Sequence, residues 1–294
     1  MKLKIQTLAL VFIMIATLSA CSKKTSIEVN INKDGESKVD IGSEEKKENN
    51  KADGEKNLDS QKGKDSKSES NKKENIENKL NAKGSLAGKV ICIDPGHGIS
   101  SSKKQEPMAP DSSIMKPGYV SGAEGKTQTE EELNLEVALK LRDSLSDLGA
   151  TVYMTRETHE TELSNVGRAK FANEKNADMV VRLHADGIDD KSVYGISMLV
   201  PSSENLKNSQ IVSESKIAGQ EVLSQVVKYT QGKGRGVVER SDMTGFNWSE
   251  VPVILLEMGF LTNDEEDARL SKDTYQDSIV KGVASGLENY FQSK

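Results

Sequence analysis

Short apolar runs that alternate with helical patterns fill the last two-thirds of this chain, and they constrain its fold more than any other feature. Five runs are short and followed by polar or turn residues: 89–93, 151–155, 178–183, 194–200 and 251–256. Runs of this length and setting are typical of buried strands. Because strands alternating with helices form helix-covered parallel sheets, the sequence predicts an α/β domain with a largely parallel sheet flanked by helices on both faces.

Helical spacing of apolar residues marks the segments between and after these strands. The first helix is predicted to begin at Thr129, which fits a capping box with Glu132, and to end at Gly149. Further helices are predicted over about 163–172 and 207–230, and from about 264 and 274.

The sequence upstream of these elements has a different composition. From Ser22 to about Ser85 it is mostly charged and small polar residues, with hardly any large apolar ones. Such a segment cannot bury enough surface to offset chain entropy, so residues 21–86 are predicted to be a disordered charged linker, and 87–294 one folded domain. A flexible linker of this length would have a typical reach of roughly 45 Å. Its length is either adapted to the layer outside the membrane, or the linker is a simple spacer. Its charges are mixed and the whole chain has a net charge of −6, so no nucleic-acid partner is predicted.

The first twenty residues are typical of an export signal. Two lysines precede an apolar run, Leu8–Leu18, that is too short for a permanent transmembrane helix. The run ends in Leu-Ser-Ala-Cys, which resembles the bacterial lipoprotein cleavage box, in which Cys21 becomes the lipidated first residue. Residues 1–20 are therefore predicted to be a lipoprotein signal peptide; the alternative is an ordinary signal peptide with Cys21 incidental. Cys92, the second cysteine, would then have no disulfide partner in the chain.

Three ionisable residues follow three of the predicted strands. His97 comes after the strand that ends at Ile93, His184 directly after 178–183, and Glu257 directly after 251–256. Ligands of open α/β sheets bind beyond the carboxyl ends of the strands, so these three side chains are predicted to share one edge. Glu130, at the start of the first helix, could reach the same edge.

Two histidines and a carboxylate are a common catalytic zinc set that leaves one position open for water. An open zinc site lowers the pKa of its water to about 7 and polarises a carbonyl group. Amide hydrolysis also needs a group that takes the proton from water and passes it to the leaving nitrogen, and a second carboxylate can do this. His97, Glu130, His184 and Glu257 together fill these roles.

The order and spacing of several motifs resemble one family, the zinc-dependent N-acetylmuramoyl-L-alanine amidases of bacterial cell walls. The motifs are Ile93-Asp94-Pro95-Gly96-His97-Gly98, Glu130 ahead of Asn134-Leu135, Thr155-Arg156, Leu183-His184-Ala185, and Glu257-Met258-Gly259-Phe260-Leu261-Thr262-Asn263. The resemblance covers about 89–290. It implies a twisted sheet flanked by helices, zinc bound by His97, Glu130 and His184, Glu257 as the catalytic carboxylate, and peptidoglycan as substrate.

Glu130 is chosen as the metal ligand because it lies four residues before Asn134, and Glu131 is the alternative. The chain departs from the family pattern at three places. Asp186 stands where the family usually has asparagine, Arg182 stands where a small residue is common, and the loop 100–122 is longer than usual. The loop is predicted to gate the cleft.

Other polar residues near the motifs are interpreted as structural. His159 is predicted to lie on the surface, and Arg156 and Arg168 to pair with acids or cap carbonyl groups. Asp94 is a candidate for orienting the histidine turn. Trp248, the single tryptophan, either lines a sugar-binding wall or simply packs.

The function predicted from the resemblance is hydrolysis of the amide between the lactyl group of N-acetylmuramic acid and the L-alanine of the stem peptide. Two alternatives stay open: a zinc peptidase that cuts within the stem, and a wall-binding lipoprotein without activity. The enzyme is predicted to be anchored to the cell membrane through Cys21, facing the wall. A protein activator is a further possible partner.

Overall fold

The computed structural model describes residues 27–31, 37–41 and 84–294. It divides the chain into two compact units, Met1–Asp65 and Ser66–Lys294. The predicted signal peptide and Cys21 lie outside the described residues, as does most of the predicted linker.

The first unit contains one antiparallel pair of strands, β1 (Ile27–Ile31) and β2 (Ser37–Ile41). The prediction of a disordered linker did not include these strands. Apolar residues alternate along both segments, and the five residues between them contain Asp34-Gly35, a known hairpin signal. The linker boundaries themselves stay a prediction.

The second unit is built on a six-stranded sheet in the order β6-β3-β7-β10-β8-β9. The strands are β3 (Val90–Pro95), β6 (Thr151–Met154), β7 (Met179–Asp186), β8 (Ile196–Pro201), β9 (Gly234–Arg240) and β10 (Val253–Phe260). Strands β6, β3, β7 and β10 are parallel, β8 is antiparallel to β10, and β9 is parallel to β8. The prediction of a largely parallel sheet is therefore confirmed.

Within residues 84–294, six helices lie around this sheet: α1 (Glu130–Asp147), α2 (Asn165–Glu174), α3 (Ser209–Thr230), α4 (Thr244–Asn247), α5 (Asp264–Leu270) and α6 (Asp273–Gln292). The predicted capping box is present, since the Thr129 side chain accepts from the Glu132 N–H while the Glu132 side chain accepts from the Thr129 N–H. None of the helices within the described residues is both long and apolar enough to cross a membrane.

Alternate residues of the strands point to two separate cores. Ile91 and Ile93 belong to the larger core, which packs against α1, α3 and α6, whereas Cys92 belongs to a smaller core with Phe246 of α4 and Ala172 of α2. Helices therefore cover both faces, as predicted. Each large apolar side chain buried in this way contributes about 1.5–3 kcal/mol.

The described residues contain six elements that the sequence did not predict. They are the strands β1 and β2, the strand β9, the helix α4 and a small hairpin within the long loop, β4 (Gln105–Pro107) and β5 (Met115–Pro117). Strand β10 also continues four residues beyond the predicted end, to Phe260.

Candidate metal centre and catalytic site

The carboxyl ends of β3, β7 and β10 meet at one edge of the sheet and bring the predicted residues together. Glu257 is the register partner of His184, so both side chains leave the same face of the sheet. His97 follows β3 after the one-residue gap of Gly96. His184 and Glu257 lie inside their strands, not after them as predicted, because both strands are longer than their apolar runs.

Nε2 of His97, Nδ1 of His184 and Oε1 of Glu130 form a nearly equilateral triangle. The two nitrogens are 3.1 Å apart, and each lies 3.0 Å from the carboxylate oxygen. Within 27–31, 37–41 and 84–294, this is the one group of three or more histidine, cysteine or acidic side chains arranged to hold a metal ion. Ligand atoms about 2 Å from a tetrahedral zinc ion lie roughly 3.3 Å from each other, so the triangle has nearly the required size.

Hydrogen bonds from backbone groups orient His97 and Glu130 towards the triangle. Nδ1 of His97 lies 2.8 Å from the carbonyl oxygen of Val120, so Nε2 is the ring nitrogen that faces the other two corners. Oε2 of Glu130 accepts from the N–H of Ala123 at 2.7 Å, and Oε1 accepts from the N–H of Ala185 at 3.1 Å. Two imidazole nitrogens and a carboxylate oxygen are the donor set of a catalytic zinc site, so the residues fit this metal.

The backbone next to His97 is shaped around the rings. A Cβ atom on Gly96 would lie 2.2–2.6 Å from three atoms of the His184 imidazole, so only glycine leaves room for that ring. His97 itself has a φ of 59°, which is uncommon for a residue with a Cβ atom. Its turn must therefore be held by other contacts.

Arg156 and Arg168 provide these contacts. Arg156 donates to the carbonyl oxygens of Pro95 at 3.1 Å and Gly96 at 2.9 Å. Arg168 donates to the carbonyl oxygen of Pro95 at 2.8 Å and to that of His97. The two arginines have the structural role that the sequence predicted.

Asp94 lies beneath this turn and is almost fully buried. Its carboxylate accepts from Arg168 at 2.6 Å, from Nε of Arg182 at 2.7 Å and from the Thr155 hydroxyl at 2.6 Å. Burial alone would raise the pKa of Asp94, but the two guanidinium groups and the hydroxyl outweigh it and hold the pKa well below its usual range. Asp94 thus reaches the histidine turn through Arg168.

The electrostatics of the triangle favour an ionised carboxylate. Burial would raise the pKa of Glu130, but hydrogen bonds from His184 and His97 outweigh it and hold the pKa well below its usual range. Burial lowers the pKa of His184 to about 4, which keeps this imidazole neutral at pH 7. The neutral form of His184 is the form that binds a metal ion.

Glu257 differs from Glu130 in having no partner for one oxygen. Its Oε2 atom is shielded from solvent and forms no hydrogen bond to the described residues. Burial, together with the negative charges of Glu130 and Asp186, raises the pKa of Glu257 well above its usual value, against the opposing charges of Arg182 and Arg240. A carboxyl group can serve as both acceptor and donor of a proton during amide hydrolysis.

The long loop forms a wall of the site through the β4–β5 hairpin. Glu106 accepts from the N–H of Val166 at 2.9 Å, and the indole N–H of Trp248 donates to the carbonyl oxygen of Pro107 at 2.9 Å. Trp248 does not line the two clefts beside His97, but it borders a separate cleft of about 770 Å³ with Lys170 and Asn173, so the choice between a binding wall and plain packing stays open. Gating by the loop stays a prediction.

Two clefts flank His97. One, of about 260 Å³, extends from His184 between the β5 strand and the segment 240–245. The other, of about 350 Å³, lies between 98–102 and 119–124. Both are bordered by His97, Gly98, Tyr119 and Val120, so a substrate lying across the metal triangle can extend into both.

The structure separates Glu130 from its neighbour Glu131. Glu130 points into the triangle, whereas the Glu131 carboxylate contacts Nδ1 of His159 at 3.1 Å and Arg156 at 3.9 Å. His159 is exposed, as predicted. The structure thus gives Glu131 no place in the triangle.

Sequence reasoning missed Asp267, although it helps to position Glu130. Its carboxylate accepts from the N–H groups of Lys126 and Thr127 at 2.8 and 2.9 Å and from the Thr127 hydroxyl at 2.7 Å. These residues immediately precede α1. In the sequence, Asp267 is one of four acids at the start of a helix, which gave no sign of a contact across the fold.

Comparison with known proteins gives a consistent result. Residues 91–289 match the protein family described as N-acetylmuramoyl-L-alanine amidase. The germination-specific N-acetylmuramoyl-L-alanine amidase of Bacillus subtilis is 30% identical over 218 residues, which cover 71% of this chain and 82% of that protein. The B. subtilis amidase LytC is 24% identical over 210 residues, 71% of this chain and 37% of that protein.

Solved structures agree with the fold. An N-acetylmuramoyl-L-alanine amidase from Clostridium difficile 630 has a TM-score of 0.58 and 30% identity, over 71% of this chain and 99% of that one. The amidase Ami1 from Mycobacterium smegmatis has a TM-score of 0.65 at 23% identity, again over 71% and 99%.

Proposed function

The chain belongs to the N-acetylmuramoyl-L-alanine amidase family, and we propose that its reaction uses a zinc ion held by His97, Glu130 and His184. The reaction is hydrolysis of the amide between the lactyl group of N-acetylmuramic acid and the L-alanine of the peptidoglycan stem peptide. The observation that carries the zinc proposal is the triangle of three ligand atoms 3.0–3.1 Å apart.

Each side chain has a distinct task in this proposal. A zinc ion, when bound, supplies a Lewis acid that polarises the scissile carbonyl and lowers the pKa of a water molecule. Glu257 takes the proton of the attacking water on its carboxylate and then delivers it to the departing alanine nitrogen. Val120 and Ala123 hold His97 and Glu130 in the required orientation through their backbone groups.

The test is digestion of purified peptidoglycan by the full chain in detergent, with and without chelator and added zinc. Metal-dependent release of intact stem peptides with free alanine amino termini, read by mass, supports the proposal. Cuts between stem residues would instead make the protein a zinc peptidase. Bound zinc without any cleavage would favour a wall-binding role.

Two histidine variants separate metal binding from general damage. His97→Ala should lose both zinc and activity, because it removes one corner of the triangle. His159→Ala is the matched control, since that exposed ring contacts only Glu131. It should keep one zinc per chain and full activity, and equal loss in both variants would contradict the assignment.

We also propose that Cys21 carries a lipid that anchors the enzyme to the outer surface of the cell membrane. Support comes from the sequence Leu18-Ser19-Ala20-Cys21 after a short apolar run. The CwlD amidase of Clostridioides difficile has been solved in complex with the GerS lipoprotein, whereas here the candidate lipid site precedes the catalytic domain in one chain. Cys21→Ala should move the protein from the membrane fraction to the medium, and retention at the membrane would contradict the anchor.

A further inference from the structure

The smaller cleft beside His184 carries an excess of positive charge. Apart from histidine, its charged lining residues are Lys116, Arg168, Arg182, Arg240 and Asp242. Asp242 is shared by Arg240, at 2.8 and 2.9 Å, and by Lys116, at 3.8 Å.

Asp94 is likewise shared by Arg168 and Arg182. The lining of the cleft itself therefore carries four cations and one carboxylate, with Asp94 behind it. Glu257 and Asp186 are further carboxylates whose charge acts on Arg240. An anionic ligand that enters this cleft would meet mainly cationic side chains.

Arg182 uses only one of its three nitrogen atoms in a hydrogen bond to the described residues. It is only 5% exposed, and its Nε atom donates to Asp94 at 2.7 Å. Its two terminal nitrogens form no hydrogen bond to the described residues, although Arg182 borders the cleft together with His184. A guanidinium at a cleft whose terminal donors are not used by the described residues can donate them to the oxygen atoms of a ligand.

The fold makes room for this group. A Cβ atom on Gly245 would lie 2.1 Å from Nη1 and 2.7 Å from Cζ of Arg182, so the guanidinium lies directly against the Gly245 backbone. Nε is fixed by Asp94 on one side and the terminal nitrogens are fixed by Gly245 on the other. The donors are therefore preorganised rather than free to turn away.

The second cleft has the opposite character. Its charged lining residues, apart from His97, are Glu124 and Glu131, and the rest of its lining is dominated by serine, glycine and apolar residues. It offers no cation to an anionic ligand. The two arms of a substrate that crosses the metal triangle would therefore meet different electrostatic environments.

We infer that Arg182 binds a carboxylate of the stem peptide, and that this residue fixes which arm of the substrate enters which cleft. The peptide arm carries free carboxylates and enters the cationic cleft, while the uncharged glycan arm enters the cleft lined by 98–102 and 119–124. This inference rests on the proposed amidase function. A planar guanidinium with two open donors matches a carboxylate in bidentate geometry.

The test uses the full chain in detergent, loaded with zinc, and soluble muramyl tripeptides that end in diaminopimelate. One substrate keeps all carboxylates free, a second has the carboxyl group of the second stem residue amidated, and a third has that of diaminopimelate amidated. The wild type should show a kcat/KM about tenfold or more lower for one amidated substrate, which identifies the carboxylate that is bound. Equal values for all three would overturn the inference while leaving the amidase function intact.

Variants then locate the recognition. Arg182→Met should bring the ratio of kcat/KM for free and amidated substrates to about one. Partial misfolding lowers both kcat/KM values by the same factor, so it does not change this ratio. Gly245→Ala gives an independent route if Arg182→Met does not fold, because it displaces the guanidinium without removing its charge. Arg235→Met, an exposed arginine that does not line the cleft, should keep the wild-type ratio.

Three outcomes have distinct meanings. A wild-type preference that survives both Arg182→Met and Gly245→Ala would overturn the assignment to Arg182. Loss of the preference in Arg235→Met as well would also overturn it, since the effect would not depend on the cleft. If the wild type cut none of the substrates, the proposed function would fail, and the inference with it.

Discussion

His97 and His184 present different ring nitrogens to the same point in space. Nε2 of His97 lies 3.1 Å from Nδ1 of His184, while the other nitrogen of His97 is bonded to a backbone carbonyl and that of His184 is buried without a partner. The two rings meet edge to face, with centroids 4.8 Å apart. The position of the His184 ring therefore depends on packing, above all against Gly96.

Gly96→Ala should weaken zinc binding by about 10- to 100-fold, because the new methyl group would displace the His184 ring. The measurement is competition with a chelator of known affinity. Gly167→Ala is the control, because its added Cβ meets only ordinary contacts, at 3.5–3.6 Å. It should leave zinc affinity unchanged, and an equal loss in both variants would show that packing at Gly96 is not the cause.

Glu130→Gln should lose stoichiometric zinc, whereas Glu131→Gln should retain it. The amide of glutamine removes the negative charge that the triangle provides, while Glu131 contacts only His159 and Arg156. Metal content after dialysis, measured by elemental mass spectrometry, distinguishes the two. The reverse pattern would make Glu131 the ligand.

Glu257→Gln should retain zinc and lower kcat by roughly 100- to 10,000-fold, because the amide cannot transfer the proton. The variant should fold at least as well as the wild type, since burial without a partner disfavours the charged carboxylate. Thermal unfolding and metal content should accompany the rate measurement. A variant with normal kcat would exclude Glu257 from proton transfer.

Asp94→Asn should destabilise the fold at pH 7 by about 3–5 kcal/mol, because it leaves Arg168 and Arg182 buried without their shared anion. The pKa of Asp94 is depressed in the folded state, so its contribution is fully present above the unfolded pKa of about 4 and is lost progressively as pH falls from there towards the depressed folded pKa. Urea unfolding between pH 7 and pH 3 should therefore show a constant difference in stability down to about pH 4 and a difference that begins to narrow below it. Asp147→Asn, at an exposed position, should leave both stability and its pH dependence unchanged.

Thiol counting tests the lipid anchor together with the fold. Cys92 is completely buried and its pKa is raised, chiefly by desolvation, so it should not react with a thiol reagent in the native protein. In guanidinium chloride the mature protein should show one thiol per chain if Cys21 is lipidated. Two thiols per chain would show that Cys21 is unmodified.

The sequence was sufficient for the elements with strong local patterns. β3, β7 and β10 are apolar enough to be recognised as strands. Because the carboxyl ends of parallel strands share one edge of a sheet, the sequence alone predicts that His97, His184 and Glu257 lie close together. β9 is different. Its sequence, Gly-Arg-Gly-Val-Val-Glu-Arg, is mostly exposed, and it is a strand because β8 offers it an edge to pair with.

The sequence alone also could not predict the direction of β8 or the environment of Arg182. An apolar run does not reveal whether a strand joins its neighbour in parallel or antiparallel orientation. Arg182 was noted only as a departure from the family pattern, because its partners Asp94 and Gly245 lie 88 residues before it and in a later helix. Its environment is created entirely by contacts distant in sequence.

The place of β10 in the sheet has a consequence for the timing of activity. It lies between β7 and β8, so a nascent chain that ends before Val253 has two separate groups of strands, β6-β3-β7 and β8-β9, and nothing to join them. The strand that joins them also brings Glu257, and α5, which holds the loop before Glu130, comes later still. A partly synthesised chain that ends before Val253 therefore lacks both the joined sheet and Glu257, and the site is assembled only when the polypeptide is nearly complete.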